Sequence, residues 1–306
     1  MIIIGCSHGK HIAEKIAKKA KRRYSELFVE RFPDNELHIK FNARLIKNRK
    51  VILVQSFYDN IDSCLMEVMF AAKTAKDLGA SSVTLMAPYF PYMRQDKMFD
   101  YGEVVSVHVL GEILSKIIDE VYILDPHLHR EKTLGHIFSI EAHRLTANPL
   151  IAEYIQKNIK NALIVGPDWE SYKWAKRTAE LIGCESTILL KKRHSARNVE
   201  VRFQEDVDVK GKNIVLVDDM ISTGNTLIKT IKAMQKLGVT KVTCIAVHGI
   251  FAEKALEKLK ETGAKVVTSN SLPGKVAKID VSSLFAEKVD DVTNSLQKYG
   301  RKRKKR

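Results

Sequence analysis

The segment Ile214-Val215-Leu216-Val217-Asp218-Asp219-Met220-Ile221-Ser222-Thr223-Gly224-Asn225-Thr226 joins, in order, an apolar run, two adjacent acids, a small polar loop and the start of a helical stretch. That order suits an anion. Small residues at Ser222, Thr223 and Gly224 leave backbone N–H groups accessible at a helix start, where unpaired donors and the helix dipole favour phosphate. The hydroxyls of Ser222, Thr223 and Thr226 add donors, with Asn225 in the same turn. The seat lies at the carboxyl end of a buried strand, where open α/β sheets bind ligands. Asp218 and Asp219 then stand beside the phosphate, placed to accept hydrogen bonds from vicinal sugar hydroxyls or to hold Mg²⁺ through water. A helix N-cap with an acidic lead-in is the plainer reading; strand, acid pair and loop occurring together in the required order favour the phosphate seat.

Other segments carry chemistry of the same kind. The ring of Phe32 can stack on a base, while Asp34 and Glu36 can accept from an exocyclic amine such as that of adenine. Arg94 and Lys97 supply charge to a polyphosphate and Gln95 a neutral donor. Lys191 and Arg193 follow an apolar run, and cations there can stabilise a phosphoryl group in transfer when a closing loop excludes water. Each of these, taken singly, is more often a turn or a solvated surface.

Taken together, the segments resemble one family. The Asp218–Thr226 segment is similar to the phosphoribosyl pyrophosphate motif shared by phosphoribosyltransferases and ribose-phosphate pyrophosphokinases. Pro88-Tyr89-Phe90-Pro91-Tyr92-Met93-Arg94-Gln95-Asp96-Lys97 resembles the pyrophosphokinases' Pro-Tyr-x-x-Tyr-x-Arg-Gln-Asp-Arg stretch, which phosphoribosyltransferases lack. Phe32-Pro33-Asp34-Asn35-Glu36 resembles their Phe-Pro-Asp-Gly-Glu loop. Asp125-Pro126-His127 stands where they carry Asp-Leu-His, with His129 two residues on. Val165-Gly166-Pro167-Asp168 stands where they carry Ser-Pro-Asp, Lys191-Lys192-Arg193 resembles their Lys-x-Arg flexible loop, and Val247-His248-Gly249-Ile250-Phe251 resembles their His-Gly-x-Phe segment. The resemblance runs from about Ile2 to Leu296.

It implies transfer of the β,γ-diphosphoryl group of Mg–ATP to the C1 hydroxyl of ribose 5-phosphate, giving phosphoribosyl pyrophosphate and AMP, with Mg²⁺ required. It implies two similar α/β domains of the type I phosphoribosyltransferase-like fold, each with a mostly parallel central sheet flanked by helices. Phe32, Asp34, Glu36, Arg94, Gln95 and Asp96 are then the ATP residues, and His127 and Asp168 the metal residues, Asp168 also being a candidate helix N-cap. Asp218, Asp219, Ser222, Thr223, Gly224, Asn225 and Thr226 take ribose 5-phosphate, and Lys191 and Arg193 are catalytic. The family's dimers and larger assemblies imply a homo-oligomer. Pro126, Trp169 and Asn225 depart from the family's pattern and leave open a non-catalytic regulatory paralogue; a phosphoribosyltransferase is the other alternative.

The elements that must position these residues show in the hydrophobic pattern. Short β-branched runs (Met1–Cys6, Val51–Gln55, Ser82–Met86, Val121–Asp125) alternate with amphipathic stretches to about Arg23, over Ile61–Leu78 and from Val104. This is the rhythm of a parallel sheet buried on both faces, with right-handed crossovers. It restarts after Pro149: strands are expected at Leu163–Val165, Thr187–Leu190, Ile214–Val217, Val242–Val247 and Lys265–Thr268, and helices at Trp169–Ile182, Thr226–Leu237 and Ala252–Lys260. The boundaries expected are an N-terminal domain over 1–146, joined by a C-terminal helix near 282–297, a catalytic domain over 147–281, and a tail at 298–306. Met93–Glu103 and Lys191–Asn198 lack a packing period and are expected to be surface loops.

Composition narrows the classes further. The 306 residues carry 51 Lys+Arg against 36 Asp+Glu, a net charge of +15, and are 45% hydrophobic. That content builds cores and excludes a wholly disordered chain. The last six residues are all basic; removing them leaves 15 − 6 = +9, so the body itself favours anionic ligands. The tail reads as a solvated terminus, and neither nucleic acid nor a membrane is an expected partner. Four scattered cysteines form no CxxC pattern, and no leader or long apolar run is present, so a soluble cytoplasmic protein with reduced thiols is expected.

Overall fold

Apolar runs too short for helices become strands wherever both faces can be covered. The computed structural model describes residues 1–128, 133–193, 199–204 and 209–292, the side chains at 170, 190–193 and 199–202 excepted. Its described residues fall into two units, Met1–Thr146 with the residues from Val281 onward, and Ala147–Asp280.

The first unit contains, in chain order, β1 (Ile2–Gly5), α1 (Lys10–Lys19), β2 (Arg23–Glu26), β3 (Phe28–Arg31), β4 (Leu37–Lys40), β5 (Lys50–Val54), α2 (Ile61–Asp77), β6 (Ser82–Ala87), α3 (Ser106–Ile117), β7 (Glu120–Leu124) and β8 (Glu141–Leu145). Its six-stranded sheet has the order β2-β1-β5-β6-β7-β8 with every pair parallel, while β3 and β4 form a separate antiparallel hairpin. Ile2, Ile4, Val51, Leu53, Val83, Leu85, Val121 and Ile123 are all buried in one core. Phe90 joins that core edge-on to Phe57 (5.6 Å) and Phe138 (5.7 Å). Each such ring contributes about 1.5–3 kcal/mol on burial, so the loop after β6 is anchored from within.

The second unit contains α4 (Asn148–Asn158), β9 (Ala162–Gly166), α5 (Trp169–Ile182), β10 (Ser186–Arg193), β11 (Val199–Phe203), β12 (Asn213–Ile221), α6 (Asn225–Lys236), β13 (Val242–Gly249), α7 (Ala255–Glu261), β14 (Lys265–Ser269) and β15 (Ala277–Ile279). The strand order is β11-β10-β9-β12-β13-β14-β15, parallel except for β11. The chain returns to the first unit at α8 (Ser282–Ala286). Without β11 the order repeats that of the first unit strand for strand. In each unit the chain reverses direction across the sheet at one point, between β1 and β5 and between β9 and β12, and it is there that an open α/β sheet leaves a crevice.

At the first of these points the chain packs closely on itself. Gly9 begins α1, and a Cβ on it would lie 1.8 Å from the Val54 carbonyl oxygen at the end of β5. The carboxylate of Glu67, 2% exposed, accepts from the Ser7 amide (2.7 Å) and the Ser7 hydroxyl (2.6 Å). The Gln55 side chain accepts from the His8 amide at 2.9 Å. The donors of that turn are consumed internally.

Several elements differ from the sequence expectations. The charged strands β2, β3, β4 and β8, the three-residue β15 and the helix α4 were not in the pattern. β12 continues past Val217 to Ile221, paired with β13 as far as Gly249, so the two acids stand within a strand. Lys191, Lys192 and Arg193 lie on β10, paired with Val201, Glu200 and Val199 of β11 in that order, where a loop was expected; residues 194–198 of that expected loop lie outside the described residues. Of the C-terminal helix expected near 282–297, α8 is described and Asp291 and Val292 are again helical, while the residues from 293 onward lie outside the described residues. All four cysteines are free, three of them buried.

Candidate functional site

The candidate phosphate seat begins where β12 ends. Three half-buried residues, Ser222, Thr223 and Gly224, separate the strand from α6. Gly224 turns the chain with φ +69°, a conformation glycine adopts without cost, and it packs against Ala255 and Leu259. No side chain caps α6, and its first helical hydrogen bond runs from Ile228 N–H to Gly224 C=O at 2.9 Å. The amides of Asn225, Thr226 and Leu227 therefore face outward from the helix start, with the Asn225 and Thr226 side chains exposed beside them.

Beside this seat the acids converge. Asp168 ends the turn after β9 and caps α5, accepting from the Ser171 amide at 2.9 Å and from the Ser171 hydroxyl at 2.7 Å. The same hydroxyl lies 3.0 Å from Asp218 Oδ1, which also accepts from the Asp219 amide at 2.9 Å. Ser171 thus ties an acid on β9's end to one on β12, across the point where the strand order reverses. Burial pushes the Asp218 carboxyl well above the usual carboxylate range, the charges of Asp219 and Asp168 push it further, and the bonds from Ser171 and the Asp219 amide only partly oppose them. Ser171 is not among the residues that the sequence singles out; its one local signal is a serine three residues after a candidate N-cap acid.

In the first unit the candidates sit on two structures. Phe32, Asp34 and Glu36 occupy the exposed tip of the β3–β4 hairpin. The tip is preorganised: Asn35 takes φ +72°, Asp34 Oδ1 accepts from the Glu36 amide at 3.2 Å, and Phe32 stacks on His38 at 4.9 Å. Arg31 clamps it, donating to Asn35 C=O and Ser63 Oγ, each at 2.6 Å. Arg94 is exposed in the loop after β6, whereas Gln95 accepts from Ser106 Oγ at 2.6 Å and Asp96 is buried. Of that trio Arg94 alone is fully presented to solvent. His127, half-buried, follows the end of β7, the strand next to β6.

Residues 1–117 match a family model described as the N-terminal domain of ribose phosphate pyrophosphokinase, and residues 136–286 match one described as a phosphoribosyl transferase domain. The ribose-phosphate pyrophosphokinase of Pyrococcus furiosus is 35% identical over 281 residues, covering 92% of this chain and 97% of that protein. That of Methanothermobacter thermautotrophicus is 34% identical over 292 residues, covering 95% and 100%. The chain belongs to the ribose-phosphate pyrophosphokinase family. In fold it is similar to the crystal structure of phosphoribosylpyrophosphate synthetase from Mycobacterium smegmatis, with a TM-score of 0.82 over 96% of this chain and 99% of that one at 23% identity.

Within this pyrophosphokinase-family chain, the structure gathers Asp168, Asp218, Asp219 and the Ser222–Thr226 turn in the second unit and carries Phe32, Asp34, Glu36, Arg94, Gln95, Asp96 and His127 in the first. His248, 1% exposed at the end of β13, lies 3.0 Å from Ser271 Oγ, which donates to Val247 C=O at 3.0 Å; it braces the ends of β13 and β14. His129 and the side chains of Lys191 and Arg193 lie outside the described residues, as does the tail at 298–306. No helix among the described residues is long and apolar enough to cross a membrane.

Proposed function

We infer that this protein is a ribose-phosphate diphosphokinase that works in the cytosol: it moves the β,γ-diphosphoryl group of ATP onto C1 of ribose 5-phosphate and releases AMP. The carrying observation is the uncapped start of α6 beside the Asp168–Ser171–Asp218 link, which offers one seat for a phosphate and one for sugar hydroxyls. In this reading the 5-phosphate lies on the α6 amides and the Ser222, Thr223 and Thr226 hydroxyls, and Asp218 and Asp219 accept from the ribose hydroxyls. That fixes the anomeric oxygen for in-line attack on the β-phosphorus, and the work asked of the protein is mainly positioning and charge neutralisation. Lys191 and Arg193, on β10, are assigned to the charge of the group in transfer.

The acid cluster fits Mg²⁺. A carboxyl held up by burial and by two neighbouring carboxylates is relieved by a divalent cation. Among the described residues no group of three His, Cys, Asp or Glu side chains could hold a metal by itself. Mg²⁺ keeps most of its waters and takes one or two carboxylates together with substrate phosphates. Asp168 would hold such an ion beside the sugar in the second unit, and His127 is assigned to a metal of the nucleotide in the first; when bound, the ion would neutralise phosphate charge.

ATP is assigned to the first unit, with adenine on Phe32, its amine toward Asp34 and Glu36, and the polyphosphate toward Arg94 with Gln95 and Asp96 shaping the loop. Base stacking of this kind contributes about 1–3 kcal/mol. Phe32→Ala therefore raises the KM for ATP by roughly tenfold or more and leaves that for ribose 5-phosphate within twofold; equal changes in both remove Phe32 from the nucleotide side. The same unit exposes Met66 and Phe70 one turn apart on α2, Val109 and Ile113 one turn apart on α3, and Phe28 on β3. Such an apolar surface supports a homo-oligomer, and a monomeric mass for the active protein in light scattering contradicts it. AMP release from Mg–ATP that requires ribose 5-phosphate tests the reaction itself.

A further inference from the structure

Next to Asp168 in the chain stands an aromatic residue that the assignments above do not use. Trp169 is the first residue of α5, directly after Asp168, and is 61% exposed. An indole left this far in water forgoes the stabilisation that burial would give it, which marks it as a surface kept for contact. It is also held ready: its ring stacks on Tyr172 with centroids 5.8 Å apart and planes 29° apart. Tyr172 is locked in turn, because a Cβ on Gly166 at the end of β9 would lie 2.7 Å from the Tyr172 Cα, so α5 starts in close contact with that strand.

The surroundings say what kind of contact this is. The Ser171 amide at the start of α5 is already bonded to Asp168, and the Ser171 hydroxyl lies between Asp168 and Asp218, so this corner offers carboxylates and a ring face where an anion would want donors. Carboxylates accept from sugar hydroxyls. The negative face of an indole attracts the partly positive C–H groups on the apolar face of a sugar ring. A furanose presents both surfaces at once, whereas a phosphate presents neither.

We propose that Trp169 is a wall of the ribose seat: its indole covers the C–H face of bound ribose 5-phosphate whose hydroxyls are held by Asp218 and Asp219, and it favours furanose phosphates over acyclic sugar phosphates. This rests on the ribose-phosphate diphosphokinase reading. The chain has two tryptophans, Trp169 and the half-buried Trp174, both on α5. In Trp174→Phe, emission therefore reports Trp169 alone.

The test titrates Trp174→Phe with ribose 5-phosphate while calorimetry follows binding on the same samples, and then measures kinetics of Trp169→Ala and Trp169→Phe. The expected result is an emission change that saturates with the heat. Trp169→Ala raises the KM for ribose 5-phosphate by about tenfold, the loss of one aromatic contact, with the KM for ATP and kcat within twofold, and Trp169→Phe recovers most of it. Heat of binding with unchanged Trp169 emission, together with an unchanged KM in Trp169→Ala, overturns the proposal and leaves the proposed reaction standing. No heat and no AMP formation overturn the reaction and the proposal with it.

Discussion

Replacing Asp218 by asparagine lowers kcat/KM for ribose 5-phosphate by about 10²–10³-fold, the cost of losing one preorganised charged contact, and raises the melting temperature of the ligand-free protein. The two effects share a cause. Asparagine keeps an oxygen that can accept from Ser171 and from the Asp219 amide, so the local frame persists. What disappears is a charge that burial, Asp219 and Asp168 all disfavour. Because the folded protein holds the Asp218 proton more tightly than the unfolded chain, whose value lies near 3.8, the folded state binds more protons between the unfolded and folded values. Asp218 therefore costs no stability below the unfolded value, and its cost grows as pH rises through the window up to the folded value. The ligand-free parent loses stability over that window relative to Asp218→Asn, and at neutral pH the variant melts higher by about 2–4 °C for each kcal/mol relieved. Calorimetry of both proteins at pH 4 and pH 8 without Mg²⁺ checks this; a variant that is active and melts lower at both pH values contradicts it.

Gly9→Ala destabilises the first unit by more than about 3 kcal/mol, a class of effect reserved for steric conflict in a packed interior. The added carbon would meet the Val54 oxygen at 1.8 Å, the Val54 carbonyl carbon at 2.5 Å and the Gln55 nitrogen at 3.1 Å, all of them backbone. None can yield cheaply. β5 is paired on both sides, to β1 and β6, and the Val54 oxygen already accepts from the Cys6 amide at 3.1 Å. Relief requires α1 to lift from the sheet, which uncovers Ile12 and Ile16. At about 2–4 °C per kcal/mol the melting temperature falls by roughly 6–12 °C, readable by circular dichroism; a loss of a degree or less would show that the close approach is slack.

The strands that sequence reading located are those buried on both faces, such as Val51–Val54 and Ser82–Ala87, because continuous apolar runs are the signature of central parallel strands. Those it missed carry polar residues for a physical reason. β2 reads RYSE and β8 reads EAHRL; both are edge strands, where charge discourages further pairing. The hairpin β3–β4 rests on the core through the partly buried Val29 and Ile39 while Phe28 stays exposed, so its apolar residues do not mark out one covered face in the sequence. α4 was legible and overlooked, since Pro149 sits in its first turn and Ile151, Ala152 and Ile155 share its buried face. Within the candidate site, the turn at Ser222–Thr226 is legible because small residues and hydroxyls in sequence encode it locally. The Asp168–Ser171–Asp218 link was not, because it joins residues 47 positions apart and exists only once β9 and β12 lie side by side.

The most direct measurement is AMP formation from Mg–ATP with and without ribose 5-phosphate, with ³¹P NMR of the sugar product. The account predicts AMP only when the sugar phosphate is present, together with a diphosphate on C1. AMP released at the same rate without the sugar, or no AMP and no diphosphate although both substrates bind, contradicts it, and the second result assigns the protein to a regulatory role within its family.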